Sequence, residues 1–297
     1  MPAFPERLDG IPVFAGMAAL APMYDGFILD QWGVLHDGTR PYPGAADCLK
    51  RLREAGKRIV VLSNSGRREA DNLQLMAAMG FDMGLIDRLI SGGEQARRAL
   101  QTRSDPFHRA LGQRCYAFTR GGDLTLLEGM GTVFVDRVED ADFFAVLGTD
   151  APRRLVGDYQ PELCAGIARG LPMVCANPDL IRLLPGGTTE AQGALARRYE
   201  EMGGKVFYHG KPYPAIYSAC LEGLQCRKEN VVAIGDSVEH DILGADRFGI
   251  KSALIPGGVH AAALRIRWGE LPTTKMWRAF AASAAARPDY LLAAFNW

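Results

Sequence analysis

The 297-residue chain has no charge imbalance, since 34 basic side chains offset 34 acidic ones. No global field therefore favours a polyanion, and a nucleic-acid role would need a local basic stripe. The pairs Arg67-Arg68, Arg97-Arg98 and Arg197-Arg198 are too short to make one and read as solvated faces. No apolar run approaches the roughly 18 residues of a membrane-spanning helix, so no membrane partner is expected. The six cysteines (Cys48, Cys115, Cys164, Cys175, Cys220 and Cys226) contain no CxxC and no Cys/His cluster at metal spacing. They read as reduced core residues, consistent with a cytoplasmic location. A dinucleotide fingerprint is also missing. The first apolar strand leads into Asp-Gln-Trp-Gly rather than G-x-G-x-x-G, and neither Gly121-Gly122 nor Gly186-Gly187 lies between a strand and a helix. No internal repeat is visible.

What the chain does have is apolar bulk, 48% of its residues, enough for a full core. Val13 to Met23 follows Glu6 and Asp9 and leads into the first strand, so a short helix is expected there rather than a signal segment. Strand-like runs at Phe27-Ile28-Leu29 and Arg58 to Leu62 alternate with helical patterns over Ala45 to Ala55 and Arg68 to Met79. That alternation predicts βαβ units and a parallel sheet, hence an α/β, Rossmann-like class. The same grammar returns later: Val206-Phe207-Tyr208, a helix over Ala215 to Leu224, Val231 to Ile234, a helix over Asp241 to Phe248, and Ser252 to Ile255. The two ends read as halves of one sheet. Between them, strand candidates at Gly131 to Val135, Phe143 to Leu147 and Met173 to Cys175, with helices after Pro161 and Thr188, suggest a smaller inserted α/β domain. The expected division is a core of residues 1–118 and 205–297 and an insert of residues 119–204. The Ala-rich stretch Ala279 to Ala286 reads as a helix former.

In open parallel sheets ligands sit beyond the carboxyl ends of the strands. The residues there are Asp30, Ser63, Lys211 and Asp236. A carboxylate can attack phosphorus, a hydroxyl and a lysine can hold phosphoryl oxygens, and a second carboxylate can share a magnesium ion with the first. Each alone is weak, because an Asp at a strand end caps a helix or forms a turn about as often. Gly235-Asp236 followed by Asp241 is more specific, since glycine lets the chain turn sharply after a strand and the two acids straddle a helix start.

Together these stretches resemble the haloacid dehalogenase superfamily, specifically class IIA hydrolases with a large α/β cap inserted after the second motif. Asp30 to Gly38 with Pro43-Gly44-Ala45 resembles the first motif and its flap, Val61 to Ser65 the second, Gly210 to Pro214 the third, and Gly235 to Asp241 the fourth. Ala176-Asn177-Pro178-Asp179 resembles a cap motif, and Arg287 to Leu291 the closing strand. The resemblance implies that Asp30 is a nucleophile forming an aspartyl-phosphate, and that Ser63 and the Asn64 backbone N–H bind the phosphoryl oxygens. It implies that Lys211 neutralises charge, and that Mg²⁺ is held by Asp30, the Trp32 carbonyl and Asp236, with Asp241 in support. Asn177 and Asp179, with the Pro185-Gly186-Gly187-Thr188 loop, are the cap residues expected near substrate. The loop's plainer reading is a helix start capped by Thr188 or Thr189. A small phosphorylated metabolite is the expected partner, and a homodimer through the cap is an admissible assembly.

The position two after Asp30 holds Trp32, where the resembling phosphatases carry an acid that protonates the leaving oxygen. Indole N–H donates but does not titrate near neutrality. Three readings follow. The chain hydrolyses a substrate whose leaving group needs no proton, or it has moved the acid to His36, Asp37 or His209, or it binds a phosphorylated ligand in a regulatory role.

Overall fold

The computed structural model describes residues 6–184 and 187–297, so Pro185 and Gly186 of the expected cap loop lie outside the described residues. The chain divides into two compact units, one of residues 1–63, 70–90 and 211–297, the other of residues 64–69 and 91–210. Five strands come first: β1 (Arg7–Leu8), β2 (Ile11–Phe14), β3 (Gly26–Asp30), β4 (Arg58–Ser63) and β5 (Arg88–Ser91). The second unit carries β6 (Arg114–Phe118), β7 (Val133–Phe134), β8 (Phe143–Val146), β9 (Met173–Cys175), β10 (Ile181–Leu184), β11 (Gly187–Glu190) and β12 (Val206–Tyr208). The chain then returns with β13 (Val231–Gly235), β14 (Lys251–Leu254) and β15 (Tyr290–Leu292).

The first unit holds an eight-stranded sheet in the order β1-β2-β15-β14-β13-β3-β4-β5. Strands β3, β4 and β13 are parallel and buried along nearly their whole length, which is why GFILD, RIVVLS and VVAIG read as continuous rather than alternating apolar runs. Successive side chains still divide between faces. Phe27, Leu29, Ile59 and Val61 pack with Ala45, Cys48, Leu49 and Leu52, the inward stripe of the helix Ala45–Glu54. Ile28, Val60 and Leu62 pack instead with Ile216, Tyr217, Cys220 and Leu224 of the helix Pro214–Leu224. Each fully buried leucine of this kind contributes roughly 1.5–3 kcal/mol, so the sheet is fixed from both sides. From β3 the chain moves to β4 on one side, whereas β13 leads to β14 on the other. The strand order therefore reverses between β3 and β13, where a crevice forms at the carboxyl ends.

The second unit is a parallel sheet in the order β12-β9-β8-β6-β7 and a hairpin of β10 with β11. Phe144, Val146, Met173 and Cys175 face Leu163 of the helix Gln160–Arg169 and Leu195, Ala196 and Tyr199 of the helix Gln192–Glu201. Phe143, Ala145 and Val174 face Ala96 and Leu100 of the helix Gly92–Thr102. An inserted α/β unit is thus present, with wider bounds than residues 119–204. Strand β6 pairs with β8, which carries residues from Ser91 onward into the insert. Strand β12 pairs with β9, so Val206 to Tyr208 completes the insert's sheet and is not half of the core sheet. Thr188 and Thr189 lie in β11, and the helix that follows is capped at Ala191 instead. Near the amino end, Val13 and Phe14 belong to β2 and the short helix is Met17–Leu20. Near the other end, the helix Thr274–Ala281 covers only the first residues of the Ala-rich stretch. All six cysteines are free thiols, with Cys164 exposed rather than in a core. Among the described residues no helix is long and apolar enough to cross a membrane.

Candidate active site

Three of the strand-end residues converge because their strands are neighbours. Asp30 ends β3 and pairs with Leu62, which puts Ser63 one step further along β4. Leu29 pairs with Ile234, which brings Gly235 and Asp236 to the same edge. Lys211 arrives differently: it follows the insert's last strand and is the first residue of the return to the first unit. Its ammonium Nζ donates to Asp30 Oδ1 at 2.5 Å and to Asp241 Oδ1 at 2.7 Å. Asp241 lies on a π-helical turn, Val238–Ile242, and its other oxygen accepts from the Ser237 N–H at 3.1 Å. Oxygens of Asp30, Asp236 and Asp241 lie within 4.8 Å of one another. Asp30, Ser63, Lys211, Asp236 and Asp241 are all buried.

Asp236 is held by backbone that the sequence reading did not identify. Val259 N–H donates to its Oδ2 at 2.7 Å. A Cβ on Gly33 would come within 1.9 Å of that oxygen, and one on Gly258 within 2.2 Å, so only glycine fits at either position. Gly33 also has a φ of +80°, which glycine alone adopts without strain.

Three buried carboxylates face one ammonium, and the balance shows in the proton affinities of Asp30 and Asp236. Burial raises Asp30 well above the usual carboxylate range, with Asp241 and Asp236 adding to the rise while Lys211 opposes it. Asp236 is pushed up to about 7, by burial first and Asp241 next. Burial alone would lower Lys211, yet Asp241 and Asp30 outweigh it and hold the ammonium charged. Fully ionised, the three acids would carry more negative charge than the one lysine neutralises, and without a metal protons take up the excess. Oxygen donors with that excess suit a small, hard dication.

The residues considered as substitutes for an acid are not poised to act as one. His36 is buried, its Nδ1 accepts from the Gly38 N–H at 3.0 Å, and burial lowers its pKa to about 4, so it is a neutral imidazole at pH 7. Bonds from Thr39 and Arg40 hold the Asp37 carboxylate far below its ordinary range. His209 belongs to the second unit, where its Nε2 lies 3.1 Å from Nε2 of His108 and His108 Nδ1 lies 2.6 Å from Asp105. Burial and then His108 lower His209 to about 3. Trp32 is 43% exposed and meets the His36 ring edge-on.

Asn64, Asn177 and Asp179 fall together in the second unit. The Asn64 amide donates to Asp179 Oδ1 at 2.7 Å, and Asn177 Oδ1 accepts from the Asp179 N–H at 2.8 Å. Asn177 thus shapes the turn that carries Asp179, and Asp179 anchors Asn64.

This fold, with its lysine and acids at the switch point, defines a Rossmann-like hydrolase carrying an inserted α/β unit. Haloacid dehalogenase-like hydrolases match residues 27–133 and 127–249, and a related HAD-hydrolase-like family matches residues 208–292. Ribonucleotide monophosphatase NagD of Escherichia coli K12 is 29% identical over 234 residues, covering 78% of this chain and 87% of that protein. Chronophin of Mus musculus is 30% identical over 262 residues, covering 86% of this chain and 87% of its own length. The solved structure of a haloacid dehalogenase-like hydrolase from Brucella suis 1330 superposes with a TM-score of 0.77 at 29% identity, covering 98% of this chain and 99% of that one. The chain belongs to the haloacid dehalogenase-like hydrolases, and its similarity to NagD and chronophin bears out the subgroup inferred from the motifs.

Proposed function

We propose that the chain is a Mg²⁺-dependent phosphohydrolase that works through an aspartyl-phosphate on a small phosphorylated metabolite with a good leaving group. The observation that carries the reading is the ammonium of Lys211 bonded to both Asp30 and Asp241, with Asp236 in the same buried acid cluster. Asp30 attacks phosphorus, and the leaving oxygen departs with the electron pair of its bond to phosphorus. Ser63 and the Asn64 N–H hold the phosphoryl oxygens, and Asp179 keeps Asn64 in place. Lys211 offsets charge on Asp30 and the phosphate. Asp241, bonded to that ammonium, orients it. Asp30, Asp236 and the Trp32 carbonyl would hold Mg²⁺, which when bound supplies charge neutralisation at the phosphoryl group. Water then attacks the mixed anhydride, releasing phosphate and restoring the carboxylate. The name of one relative, a ribonucleotide monophosphatase, supports a phosphate monoester as substrate.

Trp32 limits the substrate. Without a general acid a reaction typically loses ~10²–10⁴ in rate, a penalty that falls on alkoxide leaving groups and spares those that leave as weak bases. The test is a set of single-turnover rates for aryl, acyl and alkyl phosphates, with and without Mg²⁺, in the unmodified protein and in Trp32→Asp. The unmodified protein should depend steeply on leaving-group pKa, and Trp32→Asp should speed alkyl esters by ~10-fold or more while good leaving groups gain little. A shallow dependence in the unmodified protein would mean that an acid is present after all. No turnover of any ester, together with tight binding of a phosphorylated ligand, would favour the second reading, a regulatory binding protein. Exposed Trp32 in the acid position is the observation that motivates that alternative.

A further inference from the structure

The insert has a switch point of its own. Strand β6 is followed by β7 on one side of the sheet and β8 by β9 on the other, so the strand order reverses between β6 and β8. Ligands of open parallel sheets bind beyond the carboxyl ends at such a point. The loop after β6 brings Arg120 there, and the loop after β8 brings residues 148–151. The two loops touch. A Cβ on Gly148 would lie 2.9 Å from the Arg120 nitrogen and 3.0 Å from its Cβ, and the Gly121 N–H donates to Asp150 Oδ1 at 2.8 Å. Arg182, on β10, reaches the same loop and donates from Nη2 to the Ala151 carbonyl.

Charge at this crevice is unbalanced. Elsewhere in the insert Arg114 pairs with Asp142 and Arg154 with Glu162. Among the described residues neither Arg120 nor Arg182 has an ion-pair partner, the Arg120 guanidinium has no hydrogen bond, and Arg182 Nε is buried without one. Burial, then the charge of Arg120, holds Arg182 below the ordinary arginine range. A guanidinium keeps its proton in a protein, so the two charges stay and repel. An oxyanion answers both features, since it accepts from several guanidinium N–H groups at once and supplies the missing negative charge. A neutral or apolar ligand would leave the repulsion in place. We propose that Arg120 and Arg182, at the insert's switch point, form a binding site for a small oxyanion, the carboxylate or phosphate group of a metabolite. The site uses none of the residues of the hydrolase reading and does not rest on it.

Phenylglyoxal attacks guanidinium groups, and mass spectrometry locates its adducts, so the reagent reports on this site apart from any phosphate bound elsewhere. Malonate and inorganic phosphate serve as probes, each compared with chloride at equal ionic strength. One or both should slow modification of Arg120 by several-fold while leaving exposed Arg137 unchanged. Protection by malonate alone assigns a carboxylate ligand, and protection by phosphate alone a phosphate ligand. In Arg182→Gln the protection of Arg120 should be lost, with a melting curve to check the fold. Arg120 is exposed, so Arg120→Gln keeps the fold, and calorimetry should find its affinity for the protecting anion lower by ~10-fold or more. No protection by either anion, equal slowing at Arg137, or undiminished binding by Arg120→Gln would overturn the proposal.

Discussion

Moving the metal-free protein from about pH 5 to about pH 8 should destabilise it through Asp236. The carboxyl goes from 3.8 to about 7 in the folded chain, so between those values the native state holds a proton that the unfolded chain has released. Its contribution is fully present below the unfolded value and lost as pH rises through about 7. About two pH units of that span lie between pH 5 and pH 7, so at 1.36 kcal/mol per unit the loss is on the order of 3 kcal/mol, which for a chain of this size is roughly 5–10 °C in Tm. Asp30 is raised by the same burial and by Asp236 itself, and acts in the same direction. In Asp236→Asn the amide oxygen can still accept the Val259 N–H, but the titrating charge is gone. Thermal melts across this pH range, in chelator, should therefore show a steeper fall for the unmodified protein than for Asp236→Asn. Added Mg²⁺ should remove most of that difference, because a dication favours the ionised acids. Parallel pH profiles for the two metal-free proteins would refute the charge imbalance inferred from the cluster.

Asp30→Asn should abolish turnover, measured as phosphate release, while leaving the melting profile at low pH close to that of the unmodified protein; near-normal activity would exclude Asp30 as nucleophile. Asp236→Ala should weaken Mg²⁺ binding, read by calorimetry, more than Asp241→Ala does, since Asp241 is already engaged by Lys211 and the Ser237 N–H. Equal losses would mean that Asp241 ligates directly.

The first unit was readable because its signals are local. Apolar runs that end in Asp30, Ser63 and Gly235 are strands by composition, and a parallel sheet buried on both faces makes them continuous. Which sheet a strand joins is a long-range matter. Val206-Phe207-Tyr208 would satisfy either sheet, and only its pairing with Met173 to Cys175 assigns it to the insert. Arg114 to Phe118 fell on the wrong side of the expected boundary for the same reason: its apolar residues find their partners in β8 and the helix Gly92–Thr102. Gly187-Thr188-Thr189-Glu190 has the composition of a helix cap, yet its backbone pairs with Ile181 to Leu184. The acids of the candidate site were legible as motif residues. The glycines that confine Asp236 and the Val259 N–H were not, because contact between Gly33, Asp236 and Gly258 exists only once three distant loops meet.

Asp236 has almost nowhere to go. With the backbone of both Gly33 and Gly258 close against it and the Val259 N–H on its Oδ2, the side chain has little rotamer freedom left. Glutamate, one methylene longer, would have to push one of the two loops aside, so the position tolerates a change of charge better than a change of length. A dipole fixed in this way needs no reorganisation when charge arrives beside it, and the work of orienting it is done as the sheet assembles rather than at each turnover. The tightness of the fold around this one carboxylate is thereby a kinetic property as much as a structural one.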